Sequence, residues 1–189
     1  MAFYVPVYLI GYGPQNFLWL SSITLILGFL ATILESRFLA SMAAVGGLAF
    51  ELLWAVDFLF TVSARIIGSK LAGFTIYVFD PYLPIWLKVL ALYHLALPPL
   101  LIWLFLRLGY DTRAWIVQIF FSLILMLATW FFTSPFLNIN FVFSYLKFEQ
   151  LRLGALPFLT LLYIAAVLIM SGTHLFLKFL NKRSLSLHH

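Results

Sequence analysis

A chain of 189 residues that is 65% hydrophobic, 19% aromatic and only 9% charged cannot cover a globular surface, for which roughly 25% charged residues is usual. Its mean hydropathy of +1.09, with apolar runs near the roughly 20 residues a bilayer-crossing helix needs, excludes a soluble enzyme, a disordered chain and a nucleic-acid-binding domain. Eleven Lys/Arg against six Asp/Glu give a net charge of +5, but the basic residues stand singly between apolar runs and act as topology signals. The chain has no cysteine, which removes disulfides, thiolate nucleophiles and CxxC metal sites.

In chain order, MAFYVPVYLIGYGP has no basic n-region, and Pro6, Gly11 and Gly13 break its apolar run, so it does not read as a cleavable signal peptide. Asn16 is placed to cap the first helix. Spans are expected at residues 17–34, 38–62, 83–106, 114–132 and 154–177. Small residues from Ala40 to Ala49 crowd the first half of the second span and let a neighbouring helix approach closely. Pro98-Pro99 should bend the half of the third span that follows them. Asp111 is placed to cap the fourth helix. The connections 63–82 and 133–152 are aromatic but interrupted, which fits segments lying in the membrane interface. The expected fold class is all-α, an integral membrane bundle of five transmembrane helices with two interfacial segments, in one domain.

With five spans, one face carries Arg37, Arg107, Arg113, Lys178, Lys182 and Arg183, and the other Arg65, Lys70, Lys147 and Arg152. The richer face should be cytoplasmic, which puts the N-terminus outside and the C-terminus inside.

Ionisable side chains within spans are expensive and mark either a site or a structural pair. Glu51 and Asp57 on the second span are six residues apart, as are Lys88 and His94 on the third. Each interval rises about 9 Å, so one antiparallel register matches Asp57 with Lys88 and Glu51 with His94. Six residues also rotate by about 240°, so both pairs cannot occupy the centre line of one straight interface. Structurally these are a neutralised ion pair and a hydrogen-bonded core pair. Functionally, Glu51 and His94 form an oriented general base, and Lys88 with Asp57 marks a headgroup site to which Asn16, Asn138 and Asn140 contribute. No nucleophile motif accompanies them; Ser21, Ser22 and Thr24 are the hydroxyls nearest in depth. Trp54 lies between the two acids and either packs the core or lines a cavity. His174 stands in the other half of the membrane, near the depth of Gln118. With no HxxH or HxxxH spacing, no metal or cofactor is expected.

YGPQNFLWL (Tyr12–Leu20), ASMAAVG (Ala40–Gly46), ELLWAVDF (Glu51–Phe58), FDPYLP (Phe79–Pro84), YHLALPPLLIW (Tyr93–Trp103), LGYDTRA (Leu108–Ala114) and NINFVF (Asn138–Phe143) follow one another along the chain. Together they resemble a family of small bacterial multi-pass proteins described only as membrane-associated proteins. The resemblance carries no assigned reaction. The expected location is the bacterial cytoplasmic membrane, and the expected partners are membrane lipids. The leading expectation is a protein that binds or modifies a lipid-like molecule in an outer-leaflet cavity. The alternative is a structural or assembly subunit of a larger membrane complex, or a homo-oligomer, docked through the small-residue face of the second span. An ion- or proton-coupled carrier using Glu51 and His94 as a relay stands third.

Overall fold

The computed structural model describes residues 1, 4–69, 73–143 and 154–186. Lys70, Lys147, Arg152, the end of the 133–152 connection and His188-His189 lie outside the described residues. Within them the architecture is all-α. The helices are α1 (Tyr4–Tyr12), α2 (Leu20–Leu34), α3 (Arg37–Ile66), α4 (Ile85–Ala91), α5 (Tyr93–Leu108), α6 (Arg113–Phe132) and α7 (Ala155–Ser186). Short 3-10 turns occupy Pro14–Leu18, Phe74–Phe79 and Ile139–Phe141.

Four stretches are long and apolar enough to cross a membrane: α3, α4 with α5, α6 and α7. They fit a multi-pass membrane protein. The fifth expected span is divided, because Trp19 takes an extended conformation between the Pro14–Leu18 turn and α2. The 15 residues of α2 rise only about 22 Å. Asn16 is not the cap of α2. Its amide donates to the Tyr12 carbonyl at 2.6 Å and accepts the Trp19 indole N–H at 3.0 Å, which holds the preceding turn closed. Asn140 serves α2 instead. Its Oδ1 accepts the Leu20 backbone N–H at 2.9 Å, and its Nδ2 donates to the Leu18 carbonyl at 2.7 Å. Asn140 has a positive φ of 53°, a region asparagine tolerates better than most residues. Replacing Asn140 by alanine should therefore lower stability by about 1–2 kcal/mol, from a lost cap and a strained backbone; thermal unfolding in detergent would measure it.

Helix α3 is the hub. Every residue from Ala40 to Leu48 is buried, and α2, α5, α6 and α7 all pack on this helix. Two glycines set the spacing. A Cβ on Gly46 would meet the Gln118 side chain of α6, and one on Gly47 would meet Thr24 of α2. The small-residue stretch is thus covered by the chain's own helices, which corrects its assignment as a docking face for another subunit.

The span containing His94 is broken at Leu92, between α4 and α5. Pro98 and Pro99 lack the N–H groups that the carbonyls of His94 and Leu95 would otherwise bond, and a proline ring crowds the carbonyl four residues before it. The distortion therefore falls before the prolines, not in the half that follows them as the sequence led us to expect. It leaves Tyr93 and His94 as the first two residues of α5.

The α2–α3 and α5–α6 turns meet at one end of the bundle. Arg37 Nε donates to the Leu108 carbonyl at 2.7 Å, Arg107 pairs with Glu35 at 2.5 Å, and the Asp111 N–H donates to Ser41 at 2.8 Å. Tyr110 hydrogen-bonds His174 at 2.6 Å, bringing the Lys178–Arg183 part of α7 to the same end. All six basic residues assigned to one face therefore cluster together. The cap position of α6 falls on Thr112, while Asp111 accepts the Arg113 N–H at 3.0 Å and pairs with its guanidinium at 2.7 Å.

Those bonds from Arg113 hold the Asp111 carboxyl below its ordinary value of 3.8. A lowered folded-state value contributes stability above the unfolded value, lost as pH falls through the folded one. Asp111→Asn should therefore lose less stability than the parent between pH 5 and the acid side of about 3.8, checked by thermal unfolding across that range.

Candidate functional site

The sequence supplies one buried acid and one buried imidazole, and the fold joins them. Glu51 is 2% exposed near the middle of α3, and His94 is 9% exposed at the start of α5. The His94 Nδ1 lies 2.6 Å from Glu51 Oε2. Each residue is fourteen positions from the basic end of its helix, so the pair sits roughly 21 Å along the bundle from that end.

The imidazole is clamped by aromatic rings. Trp54 stacks on it at 4.5 Å with planes 18° apart, and Tyr93 stacks at 4.2 Å and 25°. Neither ring contacts the other among the described residues, so they take opposite faces of the imidazole. Trp54 itself rests on Phe58, and Phe58 on Phe79. With Nδ1 engaged and both faces covered, only the edge carrying Nε2 remains. Among the described residues no protein group bonds Nε2.

On the Tyr93 side of the imidazole stands a set of tyrosines that sequence reasoning missed, bonded to the Ser21 and Ser22 it had picked out by depth. The N-terminal run forms α1, whose Tyr4, Tyr8 and Tyr12 recur at the four-residue spacing that puts them on one helical face. Tyr4 stacks on Tyr8 at 4.6 Å and meets Tyr93 edge-on at 5.6 Å. The Tyr4 hydroxyl bonds Ser22 at 3.0 Å, and the Tyr93 hydroxyl donates to Ser21 at 3.0 Å. Gly11 lies flush against Trp86 and Leu87 of α4. The i, i+4 tyrosines are the signal for α1 in the sequence.

The other expected pair does not form. Asp57 is held by the Phe74–Phe79 turn: its Oδ2 accepts the Thr75 N–H at 2.9 Å and the Thr75 hydroxyl at 2.7 Å. Thr61, one turn further along α3, joins the same network at 3.1 Å. Gly73 approaches so closely that a Cβ there would overlap the Asp57 carboxyl. Asp57 thus ties a loop to α3 and is not matched with Lys88. The rotation between positions 51 and 57 is the reason, since Glu51 faces α5 and Asp57 faces the loop. Lys88 is half-buried and forms no ion pair among the described residues.

The asparagines also separate. Asn16 and Asn140 are engaged with backbone around the start of α2, and Asn138 accepts the Phe143 N–H at 3.1 Å. Ser22 donates to the Asn16 carbonyl at 3.2 Å, which links that cluster to Tyr4. Thr24 is spent on the contact with Gly47. Among the described residues no three His, Asp or Glu side chains converge as a metal ion would require. His174 is likewise enclosed, stacked on Trp115 at 4.8 Å beside its bond to Tyr110.

No protein-family model, curated protein or solved structure matches this chain.

Proposed function

We propose that this is an inner-membrane protein of bacterial type that binds or modifies a lipid-like molecule at His94. The carrying observation is the 2.6 Å Glu51–His94 bond that leaves Nε2 without a protein partner among the described residues. Where the carboxylate is the acceptor in this bond, Nδ1 carries the proton and Nε2 presents its lone pair. That is the arrangement of an oriented base, able to take a proton from a hydroxyl or an acidic headgroup. The surrounding tyrosine, tryptophan and serine side chains suit an amphiphile, with rings for its apolar part and hydroxyls for its polar part.

In this reading α2, extended by the Pro14–Leu18 turn, makes a fifth crossing. Residues 73–82 and 133–143 lie at the interface. The basic end is cytoplasmic by the excess of Lys and Arg. A position about 21 Å from that end, in a hydrocarbon core about 30 Å thick, supports the reading that His94 belongs to the outer half. Lys88, six residues nearer the outer surface, is the cation for an anionic headgroup. Asp57 holds the Phe74–Phe79 turn on α3, while Asn16, Asn138 and Asn140 hold the turns near the start of α2.

Native mass spectrometry of the gently solubilised protein, with identification of bound lipid, tests this. Wild type should retain one lipid class at fixed stoichiometry. Glu51→Gln and His94→Gln should alter that lipid's amount or chemical form, and Lys88→Gln should reduce its retention. Folded Glu51→Gln and His94→Gln proteins with the wild-type lipid, unchanged in amount and form, would sink the proposal.

A further inference from the structure

At the basic end the structure contains a half-open cavity of about 290 Å³, lined by Arg37, Phe105, Arg107, Leu108, Gly109 and Asn181. We propose that it is a second ligand site, for the phosphate group of an anionic lipid or of a free phosphate, independent of the Glu51–His94 centre.

Four features of the lining carry this. Arg37 spends only its Nε on the protein, donating to the Leu108 carbonyl. That bond fixes the guanidinium and leaves its two terminal nitrogens unbonded among the described residues, in the fork geometry that suits a phosphate. Gly109 has φ +80° and ψ −170°, a region open essentially only to glycine. A Cβ here would only touch Arg37 Nε at 3.4 Å, so it is the backbone conformation, not a lack of space, that calls for glycine beside the guanidinium. Arg107 lies across the Trp103 ring at 5.2 Å and is held by Glu35, which contributes a positive charge on a restrained arm. Asn181, half-buried on α7, brings an amide that no described residue engages.

Two carboxylates stand near the cavity: Glu35 pairs with Arg107, and Asp111 pairs with Arg113 while also attracting Arg37. Neither bonds the terminal nitrogens of Arg37, which stay open to a ligand. Leu106 is strongly exposed beside the cavity, giving an acyl chain a path away from a headgroup seated on Arg37. Basic pockets of this kind between membrane helices bind anionic headgroups.

The test uses the full chain, purified and delipidated in a non-ionic detergent. Short-chain phosphatidylglycerol, short-chain phosphatidylcholine and inorganic phosphate are titrated separately, with bound mass and thermal shift as readouts. Phosphatidylglycerol should bind at least about tenfold tighter than phosphatidylcholine, with affinity falling as salt rises. If inorganic phosphate stabilises the protein as well as phosphatidylglycerol does, the occupant is free phosphate and the site stands. Arg37→Gln should abolish the preference, but it also removes the bond to Leu108. Asn181→Asp is therefore the sharper variant, since it disturbs no described bond and puts a carboxylate into the cavity. It should weaken either anion about tenfold. Equal binding of the two lipids with no effect of phosphate would overturn the proposal, as would an unchanged anion affinity in Asn181→Asp. Glu51→Gln should leave these affinities untouched, so this site and the His94 centre fail or stand separately.

Discussion

Glu51→Ala should lower the unfolding free energy by about 3 kcal/mol, because it strips a buried imidazole of the carboxylate that holds it. The loss exceeds that of an ordinary side-chain hydrogen bond, since His94 is nearly enclosed between Trp54 and Tyr93. Removing both polar partners is a different change. Glu51→Leu combined with His94→Phe takes away donor and acceptor together, and the aromatic clamp can receive a phenyl ring. Most of the stability should return in that double variant, while the bound lipid remains altered. Chemical or thermal unfolding in one detergent, beside lipid analysis, separates the two effects. A double variant as unstable as Glu51→Ala would mean that the site depends on the charges for its fold.

Gly47→Ala should be nearly as damaging, by about 2–3 kcal/mol, although it adds a single methyl group. That methyl would meet three Thr24 atoms, with Oγ1 at 2.6 Å, Cβ at 3.0 Å and Cγ2 nearer still. α3 is held on its other sides by α5, α6 and α7, so the strain falls on the Thr24 side chain and on α2. Thr24→Ala removes the two nearest atoms and leaves only the Cβ at 3.0 Å. Combined with Gly47→Ala it should restore part of the loss, giving an interaction energy on the order of 1 kcal/mol in a double-mutant cycle. Simple addition of the two single losses would show that the α2–α3 approach has slack that the geometry does not reveal.

Depth along a helix was readable from the sequence, and azimuth was not. The six-residue spacing correctly aligned Glu51 with His94, because both elements rise 1.5 Å per residue whatever they pack against. The same spacing misassigned Asp57, whose partner is decided by which element covers that side of α3. The cover is the Phe74–Phe79 turn, a segment whose polar side chains are only Thr75 and Tyr77. The small residues from Ala40 announced close packing but could not say with what. Proline 98 announced a distortion, yet its position depended on which carbonyl gave way. Tyr4, Tyr8 and Tyr12 were visible as a periodic set, but a nine-residue helix of mixed aromatic and aliphatic residues has too weak an amphipathic pattern to predict where it docks.

The ties of Asn140 have a bearing on how the chain is made. Leu20 and Leu18 leave the ribosome about 120 residues ahead of the side chain that satisfies them, an interval on the order of ten seconds at ordinary elongation rates. Until then the opening turn of α2 has a backbone N–H without its partner. The nascent chain therefore keeps α2 provisional, and it is locked only after α6 has been made and the Ile139–Phe141 turn has folded back onto it. Chains released before that turn should leave α2 accessible to proteases or labelling reagents that cannot reach it in the finished protein.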